Sequence, residues 1–357
     1  MPHVIAIDGP AGAGKTTISK LLCKKLGYTL IDTGALYRGT ALRAREKKIR
    51  WDDGPGLAQL IEKTTFEFRD GLVIDGCNRE NEIRGQDISM GASDVSKLPE
   101  VRAALLPVQR EFAQYVNVVM EGRDIGTVVF PDADLKVFLT ASLAERARRR
   151  ARQLGSNDIG GIQREIKARD DQDSSRDLAP LRPSKHAIIV DTTNIGIQEV
   201  AKIFTNMVKS GINGRWGTRF IELAEHIAGW SKDPSTKVGC VIVGPNREIR
   251  STGFNGFPRG VSDDSRLHER EHKYAIICHA EENAITHAAR TGVRLQGCTA
   301  YVTWPPCTRC ARSLIQSGVS VISYPADLEI PDRWKNDLKM STDLLSEAGI
   351  HVLPIVK

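Results

Sequence analysis

Apolar and polar positions change period several times along this chain, and each change predicts an element. A run of β-branched and small apolar residues, VIAI at 4–7, ends at Asp8 and reads as a short strand. Residues 14–26, after a glycine-rich loop, have the spacing of an amphipathic helix. FEFRDGLVID, within 65–84, reads as short strands with turns, and SLAERARRRARQLG as a helix. That helix is expected to turn Arg146, Arg148, Arg149, Arg150 and Arg152 to solvent as a basic face. AIIVDTTN and the residues after it read as a last strand and helix, broken by KSGINGRWG. Beyond the break, FIELAEHIAGW is apolar at helical spacing, and KVGCVIVGP and REIRSTGFNG are strand-like runs joined at Pro245-Asn246.

A length of 357 residues favours two domains, and the glycine-rich break places their boundary near Ile212, dividing the chain into 1–212 and 213–357. The chain is 41% hydrophobic and 26% charged, ordinary for a globular protein. A net charge of +6 suits anionic ligands but is too small to indicate a nucleic-acid binder. No apolar run approaches a membrane span, and the N-terminus lacks the pattern of a signal peptide. Seven scattered cysteines make a poor disulfide framework, so a reducing cytoplasm is expected.

The opening loop matches G-x-x-x-x-G-K-[ST] from Gly9 through Gly12 and Gly14 to Lys15 and Thr16, with Thr17 next. Glycines let the backbone wrap phosphate oxygens, and the helix that follows aims its positive end at the same place. Lys15 can reach the outer phosphates and Thr16 can ligate magnesium, so ATP and Mg2+ are the expected cofactors.

Several further motifs stand in order: DTGALYR, EGRDIGTVVFPDA, RDDQDSSR and AIIVDTTN. With the opening loop they make residues 2–211 resemble bacterial cytidylate kinases. The resemblance implies a three-layer α/β fold with a parallel sheet, a mobile lid, and CMP or dCMP as phosphate acceptor. It implies that Thr33, Tyr37 and Arg38 hold the acceptor nucleotide, with Arg38 at its phosphate. Ser93, Arg102 and Asp124 would read the cytosine edge. Arg123, Arg169 and Arg176 would clamp phosphates, and Asp173 would lie near the pentose. Gln172 and Ser174 occupy lid positions where some relatives have arginine. The chemistry suits these residue types, because phosphoryl transfer is mostly alignment and charge neutralisation and arginine binds phosphate through two parallel bonds. No separate acidic residue is marked as a magnesium ligand.

The second half carries CHAEENAI and PPCTRCA. Together these match H-x-E with P-C-x-x-C, the signature of zinc nucleobase deaminases. His279, Cys307 and Cys310 can hold one zinc and leave a fourth position for water. Glu281 need not bind the metal and can shuttle the proton. A structural zinc site would call for a second cysteine pair, which Cys23, Cys77, Cys240, Cys278 and Cys298 do not form. His268 and His272 are spaced for a second metal, but read more simply as part of a solvated segment.

WSKDPSTKVGCVIV, STGFNGFPRG, CHAEENAI and TWPPCTRCARSLIQSG make residues 216–356 resemble deoxycytidylate deaminases. The resemblance implies an α/β/α domain that deaminates dCMP to dUMP, with Asn255 contacting the substrate and the Ala280 backbone holding the ring carbonyl. Glu282 stands where many relatives have leucine. The expected whole is a fusion of a P-loop nucleoside monophosphate kinase with a deaminase. It would act on CMP, dCMP and ATP, without nucleic acid or membrane, and the deaminase half leaves room for a homo-oligomer. Two other readings of the second half stay open: a zinc-bearing regulatory module without turnover, and a deaminase for another cytosine substrate.

Overall fold

The structure is a computed structural model and describes residues 2–69, 71–210 and 214–357. Two compact units emerge, Met1–Ala187 with Asp191–Asn206 and Ile188–Val190 with Met207–Lys357. The boundary expected near Ile212 lies outside the described residues.

In the first unit, β1 (Val4–Asp8) is buried at all five positions, as befits a strand at the centre of a covered sheet. It leads to α1 (Lys15–Leu26), which ends where Gly27 turns left-handed. β2 (Thr29–Asp32) follows, and Asp32 caps α2 (Thr33–Glu46) by accepting from the Ala35 amide. After α3 (Gly54–Glu62), β3 (Phe66–Arg69), β4 (Gly71–Ile74) and β5 (Cys77–Asn78) form a small antiparallel sheet, the short strands their pattern predicts. α4 (Gln86–Val95) and α5 (Pro99–Glu111) share a core with α2, α3 and that sheet. β6 (Val118–Gly122), β7 (Leu135–Thr140), α6 (Leu143–Leu154), α7 (Ile159–Ser174), β8 (Ile188–Asp191) and α8 (Ile197–Ser210) complete the order. The main sheet runs β2-β6-β1-β7-β8, and β1 pairs in parallel with β6 and β7.

Register positions the chemistry. Asp8 lies opposite Gly122 and Asp32 opposite Glu121, so three carboxylates gather at the C-terminal ends of β1, β2 and β6. Open α/β sheets bind ligands at that edge.

The second unit begins with α9 (Gly214–Ala228), the fully buried β9 (Gly239–Val243) and β10 (Ile249–Phe254). α10 (Arg270–Ile276), α11 (Ala280–Thr291), β11 (Thr299–Val302), α12 (Thr308–Gln316), β12 (Val321–Ser323), α13 (Asp332–Glu347) and β13 (His351–Val352) follow. The sheet order is β10-β9-β11-β12-β13, antiparallel around β9 and parallel from β11 to β13. A Cβ on Gly253 would stand 2.2 Å from the Ala280 carbonyl oxygen, so glycine is what lets α11 lie directly on β10. Among the described residues, no helix is long and apolar enough to cross a membrane.

Candidate functional sites

The glycine loop joins β1 to α1. Gly9 has φ 148°, and a Cβ there would fall 2.1 Å from the Leu139 carbonyl oxygen, so no side chain fits. Gly12 and Gly14 are also left-handed, with φ 75° and 91°. Lys15 folds over this loop, its Nζ donating to the carbonyls of Gly9 at 2.8 Å and Pro10 at 2.9 Å. Burial, and then the charge of Arg123, press its pKa downward. Thr17 is exposed on the outer side of the first turn.

Thr16 Oγ1 donates to Glu121 at 2.8 Å and Ser19 Oγ donates to the same carboxylate at 3.3 Å. Burial, then the neighbouring Asp32, push the pKa of Glu121 upward. Here is the acidic group that the motif reading did not find. Its signal was an apolar run, VVM, ending in an acid beside the loop strand. Asp8, also overlooked, accepts backbone bonds from Ile125 and Gly126, both at 2.8 Å, and burial raises its pKa to about 6. Thr16 and Glu121 form an oxygen pair of the kind magnesium takes.

The acceptor side collects the other residues. Arg38 pairs with Asp32 at 2.7 Å, and Arg123 donates to Asp173 at 2.9 Å. Arg176 pairs with the other oxygen of Asp173. Arg169 lies in the shared field of Arg123, Asp173, Arg38 and Arg176. Lys15 feels Arg123 and Arg169 as well, so five cations gather here, several of them close enough to repel one another. Such crowding is unfavourable until an anion enters it. The Nε atoms of Arg38 and Arg176 are buried with no hydrogen-bond partner within the protein, and both fit phosphate oxygens. Asp124 pairs with Arg102, whose guanidinium also lies 5.9 Å from the centre of the Tyr37 ring. Ser93 Oγ accepts from Gln172 Nε2 at 3.0 Å, which ties α4 to α7. Thr33 spends its hydroxyl on the Glu121 carbonyl at 2.8 Å.

The basic face of α6 needs correction. Arg146 is buried and donates to the loop carbonyl of Ala11 at 3.2 Å while pairing with Asp170 on α7. Arg149 donates to the Thr192 carbonyl and hydroxyl at 2.6 and 3.0 Å. Both point at the loop because α6 packs there, whereas Arg148, Arg150 and Arg152 keep wholly or largely to the wet side. The α-helical period alone does not say which arginines the loop covers.

In the second unit, α11 and α12 begin beside each other. His279 Nδ1 lies 3.5 Å from Cys307 Sγ and 3.3 Å from Cys310 Sγ. All three ligand atoms fall within 4.8 Å of one another, the one such metal-competent group found among the described residues. Two sulfurs and one imidazole nitrogen form a donor set that suits zinc. A hydrogen bond with Cys310 draws the Cys307 thiol down to about 4 and pushes Cys310 up. Glu281 is 4% exposed, and burial raises its carboxyl to about 7. Ala280, fully buried, is the first residue of α11, where backbone amides lack partners inside the helix.

Asn255 is committed elsewhere. Its Oδ1 accepts from the Val238 amide at 2.8 Å, and its Nδ2 donates to the Thr236 carbonyl at 2.8 Å and to Asp233 at 3.2 Å. Asp233 is in turn bound by the buried Lys273 at 2.7 Å. The Asn255 side chain is thus held by three protein contacts. His272 pairs with Glu269 at 2.6 Å on the surface, in keeping with a solvated segment.

The fold and the loop define a P-loop nucleoside monophosphate kinase joined to a zinc-type deaminase region. A family model described as cytidylate kinase matches residues 5–210, and the chain belongs to that family. A second model, the cytidine and deoxycytidylate deaminase zinc-binding region, matches residues 215–325, so the chain is a fusion of the two. A cytidylate kinase of Caldicellulosiruptor saccharolyticus is 46% identical over 205 residues, 55% of this chain and 91% of that protein. A cytidylate kinase of Pasteurella multocida is 46% identical over 206 residues, again 55% of this chain and 91% of that protein. A dCMP deaminase of the cyanophage S-TIM5 is a distant structural likeness, 24% identical with a TM-score of 0.31, over 38% of this chain and 94% of that one.

Proposed function

We propose that this chain phosphorylates CMP and dCMP with ATP, and separately hydrolyses dCMP to dUMP and ammonia. Its substrates would be free cytosine mononucleotides of the cytoplasm. For the second activity, the observation that carries the reading is a buried glutamate, Glu281, two residues from His279 and against the Cys307–Cys310 pair. A module that only bound nucleotides would have no use for a proton shuttle there.

On the kinase side, Lys15 and the glycine loop would hold the donor phosphates, and Arg38, Arg123, Arg169 and Arg176 the acceptor phosphate. Thr16, with Glu121 behind it, would hold magnesium, which would supply neutralisation of phosphate charge. Asp124, oriented by Arg102, offers an acceptor to the exocyclic amino group of cytosine, and Asp173 fixes two of the arginines.

On the deaminase side, His279, Cys307 and Cys310 would hold zinc, which lowers the pKa of a bound water toward neutrality. Glu281 would carry one proton from the attacking water to the ring nitrogen, and a second, from the hydroxyl then added to the ring carbon, to the amino group as it leaves as ammonia. The Ala280 amide would hold the ring carbonyl. Incubating the protein with dCMP, with and without ATP and magnesium, and separating the products by chromatography tests both halves. Absence of dUMP in a zinc-replete sample would overturn the deaminase assignment, and absence of dCDP and CDP the kinase assignment.

A further inference from the structure

Helix α12 poses a capping problem. Its N-cap position is Cys307 and its third helical residue is Cys310. Those are the two positions whose side chains ordinarily close the start of a helix, a hydroxyl or carboxylate at the N-cap and a glutamate or glutamine three residues on. Here both would be metal ligands, and neither offers the side-chain oxygen that an ordinary cap supplies. Free amides at the start of α12 therefore need a partner from elsewhere. α11 has the same beginning, with His279 at its N-cap, but solves the problem internally. Glu282, its third residue, accepts from the His279 amide at 3.1 Å.

For α12 the partner comes from α13. Asp337 Oδ2 accepts from the Thr308 amide at 3.1 Å, and its Oδ1 accepts from the Thr308 hydroxyl at 2.7 Å. One turn further along α13, Ser341 is 1% exposed and donates to the Pro306 carbonyl at 2.6 Å. Residues four apart share a helix face, so one face of α13 grips the chain on both sides of Cys307. This helix, Asp332–Glu347, lies beyond residues 215–325, the stretch that the deaminase family model matches.

We infer that Asp337 and Ser341 are positioning residues of the metal centre: Asp337 supplies from α13 an oxygen cap that Cys307 and Cys310 lack, and Ser341 holds the chain just before them. They touch neither metal nor substrate. Asp337 fixes the direction of the first turn of α12, and Ser341 fixes the carbonyl before the first cysteine, so that both sulfurs face His279. Outer contacts of this kind typically change metal affinity or activity by about 10- to 100-fold. The inference rests on the zinc reading above.

The test uses the full chain loaded with zinc, and follows release of the metal to a chromogenic chelator. Asp337→Ala and Ser341→Ala are expected to release zinc at least about ten times faster than the parent. Asp337→Asn, which keeps an acceptor oxygen for Thr308, is expected to restore much of the slow release. The cobalt-substituted protein should show shifted visible bands in Asp337→Ala, since sulfur geometry sets them. Phosphorylation of CMP by the same samples reports on the integrity of the first unit, and thermal unfolding reports on the second. Release at the parental rate from Asp337→Ala, or a lower melting temperature with unchanged release and unchanged cobalt bands, would overturn the inference. If Asp337→Ala does not fold, Asp337→Asn and Ser341→Ala decide it on the same readouts. A parent protein that binds no zinc would instead sink the metal reading itself.

Discussion

Thr16 and Glu121, 105 positions apart, meet at 2.8 Å, hydroxyl to carboxylate. The contact joins the first turn of α1 to the end of β6, and so fixes the loop's hydroxyl against an acid. If magnesium binds here, Glu121→Gln keeps an acceptor for Thr16 but removes the charge. Phosphorylation of CMP is then expected to fall about 10- to 100-fold, the usual scale for an outer contact at a metal site. The magnesium concentration for half-maximal rate should rise as well. A magnesium titration of the kinase rate checks this; an unchanged curve would remove Glu121 from the site.

Lys15 is held by its own loop, through the carbonyls of Gly9 and Pro10. Lys15→Ala is expected to abolish formation of CDP and dCDP while leaving deamination of dCMP intact. Separate assays of the two products in the same preparation measure it. Equal loss of both in a folded protein would show that the halves do not work independently.

Glu281 is buried against the ligand trio without being one of its three donors. Glu281→Ala is expected to retain zinc and to lose deamination by roughly two to four orders of magnitude, the range of general acid–base catalysis. Cys307→Ala, by contrast, is expected to lose the metal and to destabilise the second unit. Metal analysis of the two purified variants separates these roles, and a zinc-free Glu281→Ala protein would contradict the assignment.

Asp124 is oriented by Arg102, and on the proposed reading it would meet the base as an acceptor. Against uracil, whose corresponding group is a carbonyl, acceptor would meet acceptor, and a buried unpaired polar contact costs about 1–3 kcal/mol. At 1.4 kcal/mol per decade, dUMP should be phosphorylated about ten- to a hundred-fold less efficiently than dCMP. On the proposed reading the two sites would therefore compete for dCMP rather than work in series. With dCMP, ATP and magnesium, dCDP and dUMP should both rise from zero time. A lag in either product, or rapid formation of dUDP from dUMP, would favour a sequential route.

Much of this was legible in the chain. Close approach to phosphate demands glycine, and here the two thiols stand one helical turn apart with the histidine and glutamate in a second short motif, so GPAGAGKT, CHAEENAI and PPCTRCA show themselves locally. Periodicity likewise marked β1, the small hairpin sheet and the strand pair around Pro245-Asn246, because side-chain alternation is a property of neighbours. Tertiary structure alone decided what depends on strand order and helix facing. Parallel pairing of β1 with β6 brings Glu121 to Thr16, and packing of α6 buries Arg146 while leaving Arg148 exposed. The network of Asp233 and Lys273 takes up Asn255, and α13 caps the cysteine turn. These contacts join residues up to 135 positions apart. A local pattern records which side of its own helix or strand a residue occupies, but not which distant group the folded chain sets opposite it.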